Sequence, residues 1–160
     1  MPAWSTEIGR EFVKLADADR VRLDQLQVQK LVYIAHGWCL AGTGEPLTGD
    51  RPEAWKIGPI YRRLACALGS LRADRVTVDC FADVPDSGLS GFEMDQIAMT
   101  LRDFGRLSSP KLFPLTQGAG TPWLKIYADG SGERRDIPHR LIRDQFCEIT
   151  EGQELAGQQR

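Results

Sequence analysis

Two histidines and four cysteines carry most of the chemistry that this 160-residue sequence offers. His36 and Cys39 stand three apart, so on a helix both side chains reach toward one point. Cys66, Cys80 and His139 could then complete a tetrahedral zinc site. The spacing argues against it: there is no Cys-x-x-Cys pair, Cys39 belongs to an apolar helical face, and His36 lies at its edge, where a hydrogen-bonded histidine is ordinary. The expectation is no metal, and folding that a chelator leaves unchanged. Nucleophilic catalysis would need a Ser or Cys, a base and an orienting group, and no Gly-x-Ser-x-Gly elbow is present. Glu45, Asp50, Glu53 and Asp103 read as carboxylates beside turns or on solvated helix faces. "GTGEPL" and "GAGTPW" lack the third glycine, or the closing Gly-Lys-Ser/Thr, that wraps a phosphate. No catalytic residue and no cofactor is therefore assigned, and a small hydrolase or transferase is the weakest reading.

Binding chemistry is better represented. Arg62 and Arg63 stand together, and Arg134, Arg135, Arg140 and Arg143 cluster near the C-terminus, close to Asp136, Asp144 and Glu148. A formal net charge of −2 and a pI of about 5.7 make these ion-paired or solvated faces before they are a phosphate-binding surface. A nucleic-acid-binding regulator stays as the alternative. Trp38, Trp55 and Trp123 are accompanied by Tyr33, Tyr61 and Tyr127, and two of the tryptophans fall in turn-like stretches, "EAWKIGP" and "TPWLKIY". Buried, such rings are packing; partly exposed, they are rigid anchors for a protein partner.

The elements that position these residues follow from periodicity and punctuation. Ile8, Phe12 and Leu15 repeat at helical spacing, with Ser5 or Thr6 as a cap. The strongest helix is "LDQLQVQKLVYIAHGWCLAGTG", capped by Asp24, apolar at Val28, Leu31, Val32, Ala35, Trp38 and Cys39, and stopped by Gly42 and Gly44. Pro46, Gly49 and Pro52 impose a loop with one short extended piece at 53–56. Pro59 is expected to open a helix that runs to about Leu68 and stops at Gly69, with Ile60, Leu64, Leu68 and Leu71 on one stripe. Alternation of Val76, Val78 and Cys80 predicts a short strand. Helices are expected at Met94–Phe104, from Ser108 and Ser109 through Leu115, and after Asp136 and Pro138 along Leu141, Ile142, Phe146 and Ile149.

These elements give a mainly α fold: a compact single-domain bundle of about six helices, a long Pro/Gly-containing loop and at most two or three short strands. Residues 1–150 form the domain, and 151–160, poor in apolar residues, a flexible tail. With 42% apolar residues the chain can bury one core. The absence of a signal-peptide core or membrane span implies a cytoplasmic protein, whose cysteines should be free, buried thiols.

Five stretches in this order resemble one family. "LQVQKLVYIAHGWCLAGTGEPL", "EAWKIGPIYRRL", "FGRLSSPKLFPLTQ", "TPWLKIY" and "IPHRLIRDQF" are similar to the Panacea-domain family of SocA-like antitoxins, formerly called phage-associated proteins. The resemblance runs from Leu26 to Phe146. It implies a helical cytosolic protein that neutralises a cognate protein toxin by direct binding, and, in one branch of the family, delivery of that toxin to an ATP-dependent protease. It implies no membrane and no enzymatic step. One departure is visible: the family places a histidine after the Leu-Thr pair, and here Gln117 follows Leu115 and Thr116. On this reading Trp55 and Lys56 pin the Gly58-Pro59 turn to the long helix at Trp38 and Tyr33. Trp55, Lys56, Tyr61, Arg62 and Trp123 are the expected partner-binding residues.

Overall fold

The computed structural model describes residues 2–69, 74–86 and 88–158. Among the described residues there are seven α-helices and one small sheet. Their centre is α2 (Gln25–Thr43), whose residues 28–37 are all buried. A helix buried on every side must be apolar on every side, and the run Val28, Leu31, Val32, Ile34, Ala35 and Leu40 supplies that. Asp24 closes its start: the carboxylate accepts the Gln27 amide at 2.8 Å, and the Gln27 carboxamide oxygen accepts the Asp24 amide at 2.9 Å. Gly44 ends it at φ 76°, a conformation that glycine adopts without a Cβ penalty.

Against α2 pack α1 (Ser5–Ala18), α3 (Arg62–Leu68), α4 (Gly91–Phe104), α5 (Ser109–Thr116) and α7 (His139–Gln158). The start of α1 is held from a distance rather than by Ser5 or Thr6 acting as the cap. Trp4 is the N-cap residue, and Asp50 takes the Ser5 amide at 2.8 Å and the Ser5 hydroxyl at 2.5 Å. The helix α6 (Pro122–Tyr127), capped by the Thr121 hydroxyl with Pro122 in its first turn, is additional to the helices that periodicity predicts.

The sheet has the order β2-β1-β3, with β1 (Glu53–Trp55) antiparallel to both β2 (Gly58–Ile60) and β3 (Arg135–Asp136). Pro59 therefore does not open a helix; it lies opposite Ala54 in β2, an edge strand, where a residue without an N–H is tolerated. The helix starts three residues later at Arg62. Gly58 is obligatory here, with φ 121° and the Gln117 carboxamide oxygen 2.8 Å from where a Cβ would stand. The expected strand at Val76–Cys80 is instead a 3₁₀ turn, Val78–Phe81, because Val76 and Phe81 turn inward while Val78 and Cys80 stay exposed. Leu71, read as the end of the α3 stripe, lies outside the described residues. The stretch expected as a flexible tail continues α7 as helix to Gln158. No helix among the described residues is long and apolar enough to cross a membrane.

Four polar side chains of α2 are buried with the apolar ones: Gln25, Gln29, Lys30 and His36. Each must find partners inside the protein. Gln25 donates to the Leu68 carbonyl at 2.9 Å. Gln29 reads both backbone groups of Tyr61, accepting its N–H at 2.9 Å and donating to its C=O at 3.2 Å, so that one carboxamide fixes the junction of β2 and α3. Gln29→Leu keeps the volume and orphans the buried Tyr61 N–H, while the Tyr61 carbonyl keeps the Ala65 amide at 2.9 Å; a loss of about 1–3 kcal/mol in urea unfolding is expected, and an unchanged midpoint would show that the junction is held otherwise.

Candidate partner-binding face

His36 and His139, the histidines of the conjectured metal set, do meet. His36 Nδ1 accepts from the backbone amides of Leu47 at 3.2 Å and Thr48 at 3.4 Å, so this nitrogen carries no proton. Its Nε2 must then hold the hydrogen, which it donates to His139 Nδ1 at 2.9 Å. A charge on either ring would place hydrogens face to face on the shared bond or evict the amides. Burial, and then His139, press the His36 pKa down to about 3. His139 is lowered as well, by burial and then the Arg51 charge, with Asp50 opposing. The pair is thus a neutral buckle between α2, the 45–50 loop and the start of α7.

The cysteines do not join it. Cys39 is buried and sits 3.5 Å from the Glu45 carbonyl, but Cys66 and Cys80 are exposed and Cys147 half-buried, which corrects the expectation of buried thiols. All four are free. Among the described residues no three His, Cys, Asp or Glu side chains are grouped to hold a metal ion.

Of the five residues expected to meet a partner, Trp55 and Lys56 stand at the tip of the β1–β2 hairpin, half-buried and exposed respectively. The ring of Trp55 is not pinned to Trp38 and Tyr33, which both pack against Phe146. It carries the Arg134 guanidinium on its face at 4.5 Å and donates from Nε1 to Glu53 at 3.0 Å. Trp123, only 7% exposed, lies behind the tip, donating from Nε1 to the Trp55 carbonyl at 2.7 Å and stacking on Tyr127. It supports the tip rather than forming the surface. Tyr61 is fully buried and cannot touch a partner in this conformation, since its position at the end of β2 points it into the core. Arg62 is exposed and paired with Glu53 at 3.0 Å, at the other end of the hairpin from Lys56, about 10 Å of strand away.

Because its ring is half-exposed, Trp55→Ala is expected to cost about 1–2 kcal/mol, the size of one cation–π contact and one hydrogen bond. A loss of 3 kcal/mol or more on thermal unfolding would show a buried anchor.

Residues that the sequence reading passed over lie beside the tip. A groove of about 550 Å³ runs between Ile57 and α5 above α2, with Leu26 and Lys30 beneath and Pro110, Phe113 and Gln117 along its side. Ile57 and Phe113 are 37% and 47% exposed, high for large apolar side chains. Lys30 is 5% exposed; its Nζ donates to the Ser109 carbonyl at 3.2 Å and, among the described residues, has no ion-pair partner. Burial lowers its pKa, and Asp24 at the helix cap opposes that in part. A second recess of about 380 Å³ between Trp38, Thr100 and Phe104 holds no buried cation.

Comparison with known proteins places this architecture. The model of the family described as "Antitoxin SocA-like, Panacea domain" matches residues 28–124, from the first turn of α2 through the hairpin and α5 into α6. The chain is similar to the Antitoxin SocA of Caulobacter vibrioides (strain NA1000 / CB15N), 28% identical over 141 residues that cover 79% of this chain and 73% of that protein. No solved structure matches. With the match taking in most of α2, the hairpin and α5, more than half of the chain, the chain belongs to the SocA-like antitoxin family that carries the Panacea domain.

Proposed function

We propose that this chain is an antitoxin that neutralises a cognate protein toxin in the cytosol by occupying it, without catalysis, and that the hairpin tip and the adjoining groove are the contact face. The observation that carries the face is the juxtaposition of exposed Ile57 and Phe113 with the charged and aromatic tip, Trp55 and Lys56. Apolar side chains rimmed by charges and braced from behind, here by Trp123, have the composition of a protein interface. Arg62, held by Glu53 at the far end of the hairpin, stands apart from this tip. The two histidines, the side chains suited to proton transfer at neutral pH, are engaged in a structural bond. Antitoxin action by occupation needs no such group.

The test is co-expression with the product of the neighbouring reading frame. The wild-type chain should restore growth and co-purify with that product. The tip variant Lys56→Glu with Ile57→Asp should melt as the wild type does and lose both. A folded tip variant that rescues fully would remove the tip from the interface. Handing the toxin to an ATP-dependent protease is a separate step with its own readout: under occupation the toxin level in rescued cells stays constant, whereas under delivery it falls.

A further inference from the structure

Lys30 is an unusual occupant of the central helix. Its ammonium has three hydrogens to place; the Ser109 carbonyl takes one, and burial makes the charge costly to keep. A leucine or methionine would fill the same volume at no such cost. The walls above it are apolar, Ile57 on one side and Phe113 on the other, with the Phe113 ring centroid 5.9 Å from Nζ. Polar groups without partners line the same groove. Pro114 has no N–H to give the Pro110 carbonyl one helical turn earlier, and the Gln117 carboxamide oxygen and the Ser109 hydroxyl are buried with no partner. Exposed Lys56 and Lys111 are the sequence neighbours of the lining residues Ile57 and Pro110.

A cation looking for an acceptor, apolar walls, and carbonyl oxygens looking for N–H groups together describe the complement of a short peptide segment bearing a carboxylate. We infer that this groove binds a segment of the partner protein that sets an aspartate or glutamate side chain on Lys30 Nζ and an adjacent apolar side chain between Ile57 and Phe113. The occupant is an internal acidic side chain rather than a chain terminus, because the groove is open along the surface and lets a chain pass through. The partner's identity as the toxin rests on the proposed function; the chemistry of the groove does not.

The experiment uses two readouts. In the first, the full chain labelled with ¹³C-lysine is titrated with acetyl-Leu-Asp-Phe-amide, its Asn counterpart, and acetyl-Leu-Phe with a free carboxyl terminus, following the Lys30 ¹³Cε signal assigned by its loss in Lys30→Met. The Asp peptide should shift that signal and bind about ten- to hundredfold more tightly than the Asn peptide, the contribution of a charged hydrogen bond. Equal binding of the two, or no shift of Lys30, overturns the inference. Tighter binding of the free-acid peptide overturns the side-chain source. In the second, Lys30→Met is co-expressed with the neighbouring gene product. Failure of the wild type to rescue would count against the antitoxin reading, leaving the peptide result to decide the groove. Rescue by a folded Lys30→Met variant would count against the groove alone.

Discussion

His36→Leu should lower the unfolding free energy by about 3–5 kcal/mol, a large share of the roughly 5–15 kcal/mol that holds a domain of this size. The imidazole accepts two buried backbone amides, those of Leu47 and Thr48, and donates to His139. Leucine fills the space and satisfies none of them, at about 1–3 kcal/mol for each orphaned group. The same geometry sets an acid dependence. The folded pKa of His36 lies near 3, below the value of about 6.5 expected when unfolded, so the unfolded chain binds the extra proton. Stability is full above pH 6.5 and falls as the pH drops toward 3, by about 1.4 kcal/mol per pH unit from this group. His139, also lowered, adds in the same direction. Urea unfolding between pH 4.5 and 7.5 should show this slope in the wild type and a flatter one in His36→Leu; equal slopes would mean that the buckle is not neutral.

The second large effect concerns Gly37 and Phe146, where α2 and α7 touch. A Cβ on Gly37 would stand 2.3, 2.4 and 2.6 Å from three carbons of the Phe146 ring. That ring is fully buried and held edge-on by Trp38 at 4.9 Å and Tyr33 at 6.1 Å, so it has little room to retreat. Alanine gains about 1 kcal/mol of helix propensity over glycine, and overpacking of this kind costs about 1–3 kcal/mol or more. Three contacts this short put the balance on the cost side, and Gly37→Ala should destabilise by about 2 kcal/mol. Phe146→Ala should cost about 3–5 kcal/mol. The double variant should cost less than the sum, because the alanine then enters the space that the ring left. Additive losses would place the Gly37 effect elsewhere.

How far the sequence discloses all this depends on the kind of signal. The boundaries of α2 are readable because its caps are local, Asp24 and Gly44; for α4 the Gly105 end is readable, while the expected start at Met94 falls three residues inside the helix that Ser90 caps. Pro59 misleads because its fixed φ suits a helical first turn and an edge strand equally, and only pairing with Ala54 decides. Val76 and Val78 imitate a strand, yet no partner strand reaches them among the described residues. The α6 start was present in Thr121 and Pro122, obscured by the glycines before it. For the site, Trp55 and Lys56 are visible as aromatic and cation beside a turn, but burial of Tyr61 and Trp123 is a tertiary outcome. Lys30 had one local signal, a lone charge inside a segment apolar on all sides, which reads as a solvated position until the whole helix is seen to be central.

Under the proposed function the antitoxin works by occupation, one protein bound to another. The most direct measurement is a titration of the purified neighbouring-gene toxin, in an assay of its own activity, with the purified chain. Occupation predicts that toxin activity falls in proportion to added chain and reaches its floor near molar equivalence, with a complex of the two recovered by size-exclusion chromatography. Loss of toxin activity at a small fraction of one equivalent, with no complex recovered, would contradict the account and make the chain a catalyst.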